Sequence, residues 1–162
     1  MNHLHVECNA PLERLLRAGA DPNVHDQNGT APMHNLDHWK QKDIAEALAL
    51  LQEYGADIDI RDQQGLTTLL RAARFGSSPL LLQKLLEAGA DPAATDLRGN
   101  TLLHCIAMNT NDQNLESIQV VLNAFKRLDS QNHSAQTALE LARKYGNTLV
   151  AQALSEAGAQ TK

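Results

Sequence analysis

Aromatic side chains are scarce in this chain: one Trp, two Tyr and two Phe among 162 residues. A core without large rings must be closed by many small contacts. The 43% apolar content is therefore mostly Leu and Ala, which suits closely packed helices. Cysteine is equally rare. Cys8 and Cys105 make no metal-ligand spacing, and two such thiols read as free cysteines of a reducing compartment. No run of Lys and Arg occurs, and the formal net charge is −5. An acidic chain repels phosphate backbones, so nucleic acid is not an expected partner. No apolar run approaches the length of a membrane span. The stretch Met1 to Glu7 lacks a basic start followed by an apolar segment, so it is not a secretory signal. A soluble, cytoplasmic protein is expected. A Gly-rich phosphate loop, His-Glu-x-x-His and Gly-x-Ser-x-Gly are all missing. No catalytic residue, cofactor or metal is assigned.

What the chain does have is a repeat. Gly-Ala-Asp occurs at Gly19, Gly55 and Gly89, and Gly158-Ala159 closes the chain in the same style. A leucine-rich segment precedes each: Leu12, Leu15 and Leu16; Leu48, Leu50 and Leu51; Leu82, Leu85 and Leu86. Asp-x-x-Gly follows at Asp26–Gly29, Asp62–Gly65 and Asp96–Gly99. Two residues later a helix starts, at Ala31, Thr67 and Thr101, and Thr137 continues the series. Each piece has a cause. Glycine adopts positive φ and ends a helix. Asp-x-x-Gly is turn chemistry. Thr67, Thr101 and Thr137 can cap helix amides, and Pro32 fits the first helical position. Ala31 stands where the others carry Thr, at a cost of about 1 kcal/mol. One such unit cannot bury its apolar faces alone, whereas stacked units can.

In these motifs the chain resembles the ankyrin repeat family. Tetratricopeptide arrays share the period but lack this punctuation. The resemblance implies an all-α fold: a solenoid of helix-turn-helix repeats with short β-hairpin or loop fingers. It implies a single domain over 1–162, with a partial cap at 1–25, units at 26–61, 62–95 and 96–131, and a C-terminal cap at 132–162. That makes four repeats after a truncated first one. Units two and four carry two extra residues, around Asn35–Asp43 and Ala107–Leu115. In unit four, Phe125-Lys126-Arg127 stands where Gly-Ala-Asp is due, so its second helix is expected to run on or end irregularly. Unit five opens with Asn132 to Ala135 in place of Asp-x-x-Gly, which leaves the hairpin between units four and five unassigned.

The resemblance also implies a working surface: a concave face of hairpin tips and first helices that meets a protein partner. Carried over by position, the tips are Gln27, Asn28 and Thr30; Gln63, Gln64 and Leu66; Leu97, Arg98 and Asn100; and His133, Ser134 and Gln136. The first-helix positions are His38 and Trp39, Arg74 and Phe75, Met108 and Asn109, and Lys144 and Tyr145. Three of the five aromatics, Trp39, Phe75 and Tyr145, share one repeat position, with Asn109 in that place in unit four. Such side chains line up in a solenoid. Either they form an interface hot spot, favoured for Trp39 beside the insertion, or they pack between neighbouring helices.

His34 and His38 are four apart with Asp37 between them, a spacing that suits a metal. The resemblance gives His34 and His104 another role, tying neighbouring hairpins together. Adjacent His104 and Cys105 point about 100° apart on a helix and form no nucleophile–base pair. Basic residues gather in units three to five and acidic ones in the first units, which reads as a mixed surface before it reads as a gradient. A protein partner held in the groove, by an inhibitor, an antidote or immunity protein, or an adaptor, is the expected function. The free chain is expected to be a monomer. The alternative is an interaction domain of a larger protein such as a secreted bacterial effector; a metal-dependent enzyme is the outside reading.

Overall fold

The computed structural model describes residues 10–110 and 114–160. Helix α1 (Ala10–Arg17) is followed by four helix pairs: a 3₁₀ helix (Pro32–His38) with α2 (Ile44–Glu53), α3 (Thr68–Phe75) with α4 (Pro79–Glu87), α5 (Leu102–Ala107) with α6 (Asn114–Ala124), and α7 (Ala138–Lys144) with α8 (Thr148–Glu156). The first helices stack in one row, each packing on the next, and the second helices stack in another. Between the rows lies one continuous core. Its leucines include Leu69, Leu70, Leu82, Leu85, Leu102 and Leu103, and Ala72, Ala73, Ala107 and Ala142 let the first helices approach closely. The small-residue core expected from the composition is what the chain builds.

The caps behave as their chemistry requires. Thr67 accepts from the Leu70 amide at 3.3 Å. Thr137 accepts from Glu140, whose carboxylate accepts in turn from the Thr137 amide at 2.8 Å, a reciprocal pair that satisfies two orphan amides. Ala31 offers no such acceptor, and the segment it opens is the 3₁₀ helix, the one first helix that is not α-helical among the described residues.

The fingers between pairs are turns. No strand is present among the described residues. One oxygen each of Asp26, Asp62 and Asp96 accepts from the amides two and four residues on, at 2.8–2.9 Å. Asn132 does the same with its amide oxygen at 3.0 Å, so the fourth finger is regular despite its sequence. Neighbouring fingers are joined by backbone bonds, Leu97 N–H to Gln64 C=O at 3.1 Å and His133 N–H to Arg98 C=O at 2.9 Å. In unit four, α6 stops at Ala124 and Phe125 turns into the core, filling the place where glycine and alanine close the other units. The extra residues of unit four fall partly at 111–113, outside the described residues.

Ala135 stands at φ 56, a conformation the other fingers give to glycine. A non-glycine residue in that region carries about 1–2 kcal/mol of strain, and glycine returns part of it as chain entropy. Ala135→Gly is therefore expected to raise unfolding stability by about 0.5–1 kcal/mol, read as a shifted urea midpoint with an unchanged slope.

Candidate protein-binding groove

The fingers and the first helices enclose two adjoining cavities. One, of about 440 Å³, is lined by Gln63, Gln64, Arg74, Asp96, Leu97 and Arg98. The other, of about 500 Å³, is lined among others by Leu97, Arg98, Met108, His133, Lys144 and Tyr145. Leu97 and Arg98 belong to both, so the third finger forms the ridge between them. Two large apolar side chains of these walls face solvent, Leu97 at 69% and Tyr145 at 47% exposure, and so does Phe75 at the end of α3, at 53%. Phe75 lies under the Arg71 guanidinium, 5.5 Å from its carbon. Arg71 in turn pairs with Asp62 at 2.8 Å, so finger and helix hold each other. Arg74 donates to Met108 Sδ at 3.1 Å, which steadies the guanidinium on the cavity wall.

Of the positions read from the repeat, Gln63, Gln64, Arg74, Leu97, Arg98, Asn100, Met108, Lys144 and Tyr145 line these two cavities, and three of the positions read as surface are buried. Leu66 and Asn100 are buried, because the residue after the finger glycine turns under the finger. Asn100 spends its side chain on Asp96 Oδ2 at 2.9 Å. Asn109 is also buried: α5 ends at Ala107, two residues before it, so its side chain turns inward and donates to Ala73 C=O at 3.2 Å. Its carbonyl accepts from Asn147. Leu66 and Asn109 leave the surface set, and Asn100, though buried, still lines the second cavity. Gln27, Asn28, Gln63 and Gln64 are exposed at the tips, as are His38 and Lys144, with Arg74 and Met108 half-buried.

Trp39 is half-buried and packs against the core. It therefore serves the fold as well as any surface. Trp39→Ala is expected to cost about 2–3 kcal/mol of stability, measurable as a lowered urea midpoint with the helical CD signal retained at zero denaturant. Beside it lies something the repeat positions did not reveal. Asp43 is buried, lines a cavity of about 280 Å³ with Asn35, His38, Trp39 and Lys40, and its Oδ2 has no hydrogen-bond partner among the described residues. The two-residue insertion was the signal available in sequence; it marked the place and not the buried carboxylate.

The histidines divide by partner. His34 Nδ1 accepts from the Ala31 amide at 2.9 Å, and Nε2 donates to Ile60 C=O at 3.1 Å. His104 Nδ1 accepts from the Thr101 amide at 3.2 Å, and Nε2 donates to Gln136 C=O at 2.9 Å. An amide can only donate and a carbonyl only accept, so both rings are neutral with the proton on Nε2. Burial holds both below the usual imidazole range, helped at His34 by the nearby Arg71 charge. With both nitrogens engaged, His34 has no lone pair for a metal. No group of three or more His, Cys, Asp or Glu suited to a metal exists among the described residues. Cys105 is buried and its thiol is pushed up to about 12, which leaves it protonated at neutral pH and unfit as a nucleophile. His3, His5 and Cys8 lie outside the described residues.

Comparison with known proteins agrees with this architecture. The family model described as ankyrin repeats in three copies matches residues 3–96 and again 69–162. The chain belongs to the ankyrin repeat family. It is 31% identical over 143 residues, 88% of its length, to "Putative palmitoyltransferase ZDHHC13" of Danio rerio. It is 32% identical over 130 residues, 80% of its length, to neurogenic locus notch homolog protein 1 of Xenopus laevis and of Homo sapiens. The matched part is 21% of the first relative and 5% of each of the others. Ankyrin repeats are protein–protein interaction modules. Among the described residues no helix is long and apolar enough to cross a membrane.

Proposed function

We propose that this ankyrin array, four repeats after a truncated first one and folded as a single domain over 1–162, binds one protein partner along a concave groove between its fingers and first helices. Binding is then itself the activity: a partner covered at its own working surface is inhibited, as by an antidote or inhibitor, and one merely held is scaffolded, as by an adaptor. The observation that carries this reading is the exposure of Leu97 and Tyr145 on the walls of the two cavities, with Phe75 exposed at the end of the first helix α3. Exposed large apolar groups cost solubility unless something covers them, and aromatic anchors dominate interface energetics. Among the described residues the other exposed large apolar side chains are Leu15, Val24, Leu115 and Leu149. The free chain is proposed to be a cytoplasmic monomer, checked by light scattering on the eluting protein.

The test is a hydrogen-exchange footprint of the chain with and without a captured partner. Slowed exchange in the fingers and in α3, α5 and α7 fits the groove. Slowed exchange confined to α4, α6 and α8 removes it. A second reading has the same array serving as one part of a larger protein; it is favoured by the relatives, in which the matched region is 21% or 5% of the length. The mass of the native gene product separates the two.

A further inference from the structure

We infer that the groove's occupant is an acidic segment carrying apolar anchors; the inference rests on the groove reading and adds the chemistry of the partner. The chain as a whole is acidic, at −5, yet the groove is not. Arg74, Arg98 and Lys144 line its two cavities, and among the described residues the one carboxylate lining them is Asp96. Asp96 is buried, with Oδ1 accepting from the Arg98 and Asn100 amides and Oδ2 from the Asn100 side chain. Its oxygens are spent on holding the finger. The nearby Asp62 carboxylate is neutralised by Arg71. A ligand entering the groove therefore meets three cationic side chains, and recessed walls strengthen their field over that of a flat surface.

The cations are spaced along the array. Leu97 and Arg98 form the ridge, Arg74 stands on α3 in one compartment and Lys144 ends α7 in the other. Packed helices lie about 8–10 Å apart, so α3 and α7, with α5 between them, are separated by roughly 16–20 Å. An extended chain rises about 3.3 Å per residue and covers that span in about five or six residues. An extended ligand would place one acidic residue against Arg74 and a second against Lys144. An apolar side chain between them would sit on Leu97 and Tyr145.

The experiment is selection of short random peptides displayed on phage against the intact chain at low ionic strength, followed by affinity measurement on the synthetic peptides. Wild type is compared with Arg74→Glu/Lys144→Glu, Arg74→Gln/Lys144→Gln and Phe75→Ala/Tyr145→Ala, each verified as folded by CD. The expected peptides carry Asp or Glu beside Leu, Ile, Phe or Trp. They bind the charge-reversed chain at least about tenfold more weakly, the Gln variant by an intermediate amount, and lose affinity as salt rises. Neutral or basic peptides, no enrichment, or acidic peptides indifferent to charge reversal overturn the inference. Peptides of any other charge that are lost with Phe75→Ala/Tyr145→Ala leave the groove standing and remove its acidic preference. Acidic peptides that bind that variant unchanged remove the groove itself.

Discussion

Replacing Gly65 by alanine is expected to lower unfolding stability by about 3 kcal/mol, the sum of two separate costs. Gly65 sits at φ 74, where an L side chain carries about 1–2 kcal/mol of strain. Its added Cβ would also lie 2.9 Å from Leu97 N and 2.9 Å from Leu97 Cγ. The first of these is backbone, and that amide already donates to Gln64 C=O at 3.1 Å, so relief must come from parting two fingers. Overpacking of this kind costs about 1–3 kcal/mol. Gly89 is the control: its φ is 97, but a Cβ there meets nothing within 4 Å. Gly89→Ala should show the backbone cost alone, about 1–2 kcal/mol. Equal urea midpoints for the two variants would show that contact between fingers contributes nothing. The same comparison explains Ala135. Behind Gly29, Gly65 and Gly99 stands a following finger, at Gln63, Leu97 and His133, whereas the finger of Ala135 is the last among the described residues.

The second large effect concerns His104. Replacing it by leucine, the residue unit three carries at Leu70, strands the Thr101 amide and takes from the Gln136 carbonyl one of its two hydrogen bonds, leaving the one from the Asn132 amide. At about 1–3 kcal/mol for a buried group left unsatisfied and about 1 kcal/mol for the second hydrogen bond lost, a loss of about 2–3 kcal/mol is expected. The ring also sets a pH dependence. The folded chain holds His34 and His104 below the usual imidazole value, so below about pH 6.5 the unfolded chain binds protons that the folded one refuses. Stability from these rings is complete above that pH and drains as pH falls towards the folded values, by at most about 1.4 kcal/mol per unit for each ring. A second proton would have to enter at Nδ1, against an amide that is already donating there. Urea unfolding at a series of pH values should therefore steepen on the acid side for wild type and less so for His104→Leu. Identical profiles would mean that His104 titrates alike in both states.

Much of this was legible because repeat punctuation is local chemistry. Gly-Ala-Asp, Asp-x-x-Gly and the capping threonines act within a few residues of themselves, so their sequence positions are their structural ones. The family and the helical fold follow from them. What failed is what depends on facing. A fixed count from the finger glycine aligns Asn109 with Phe75 and Tyr145, but α5 ends at Ala107, and past a helix end the count no longer says which way a side chain points. Leu66 and Asn100 share a repeat position with Thr30 and Gln136, which are half-buried; size and polarity at one position do not reveal that it lies under the finger. The 3₁₀ form of Pro32–His38 is a matter of hydrogen-bond geometry that composition does not fix. Asp43 is a consequence of an insertion whose path no spacing predicts.

The central claim is that a partner is held on the exposed apolar side of the fingers and first helices. The measurement that tests it most directly is affinity capture from native lysate, with wild type beside Phe75→Ala/Tyr145→Ala, read by mass spectrometry with the variant's helical CD and urea midpoint as controls. Both side chains are about half exposed, so the variant should unfold close to the wild-type midpoint. The account predicts that a protein enriched by wild type is lost with the folded variant. The same protein retained by both would contradict it.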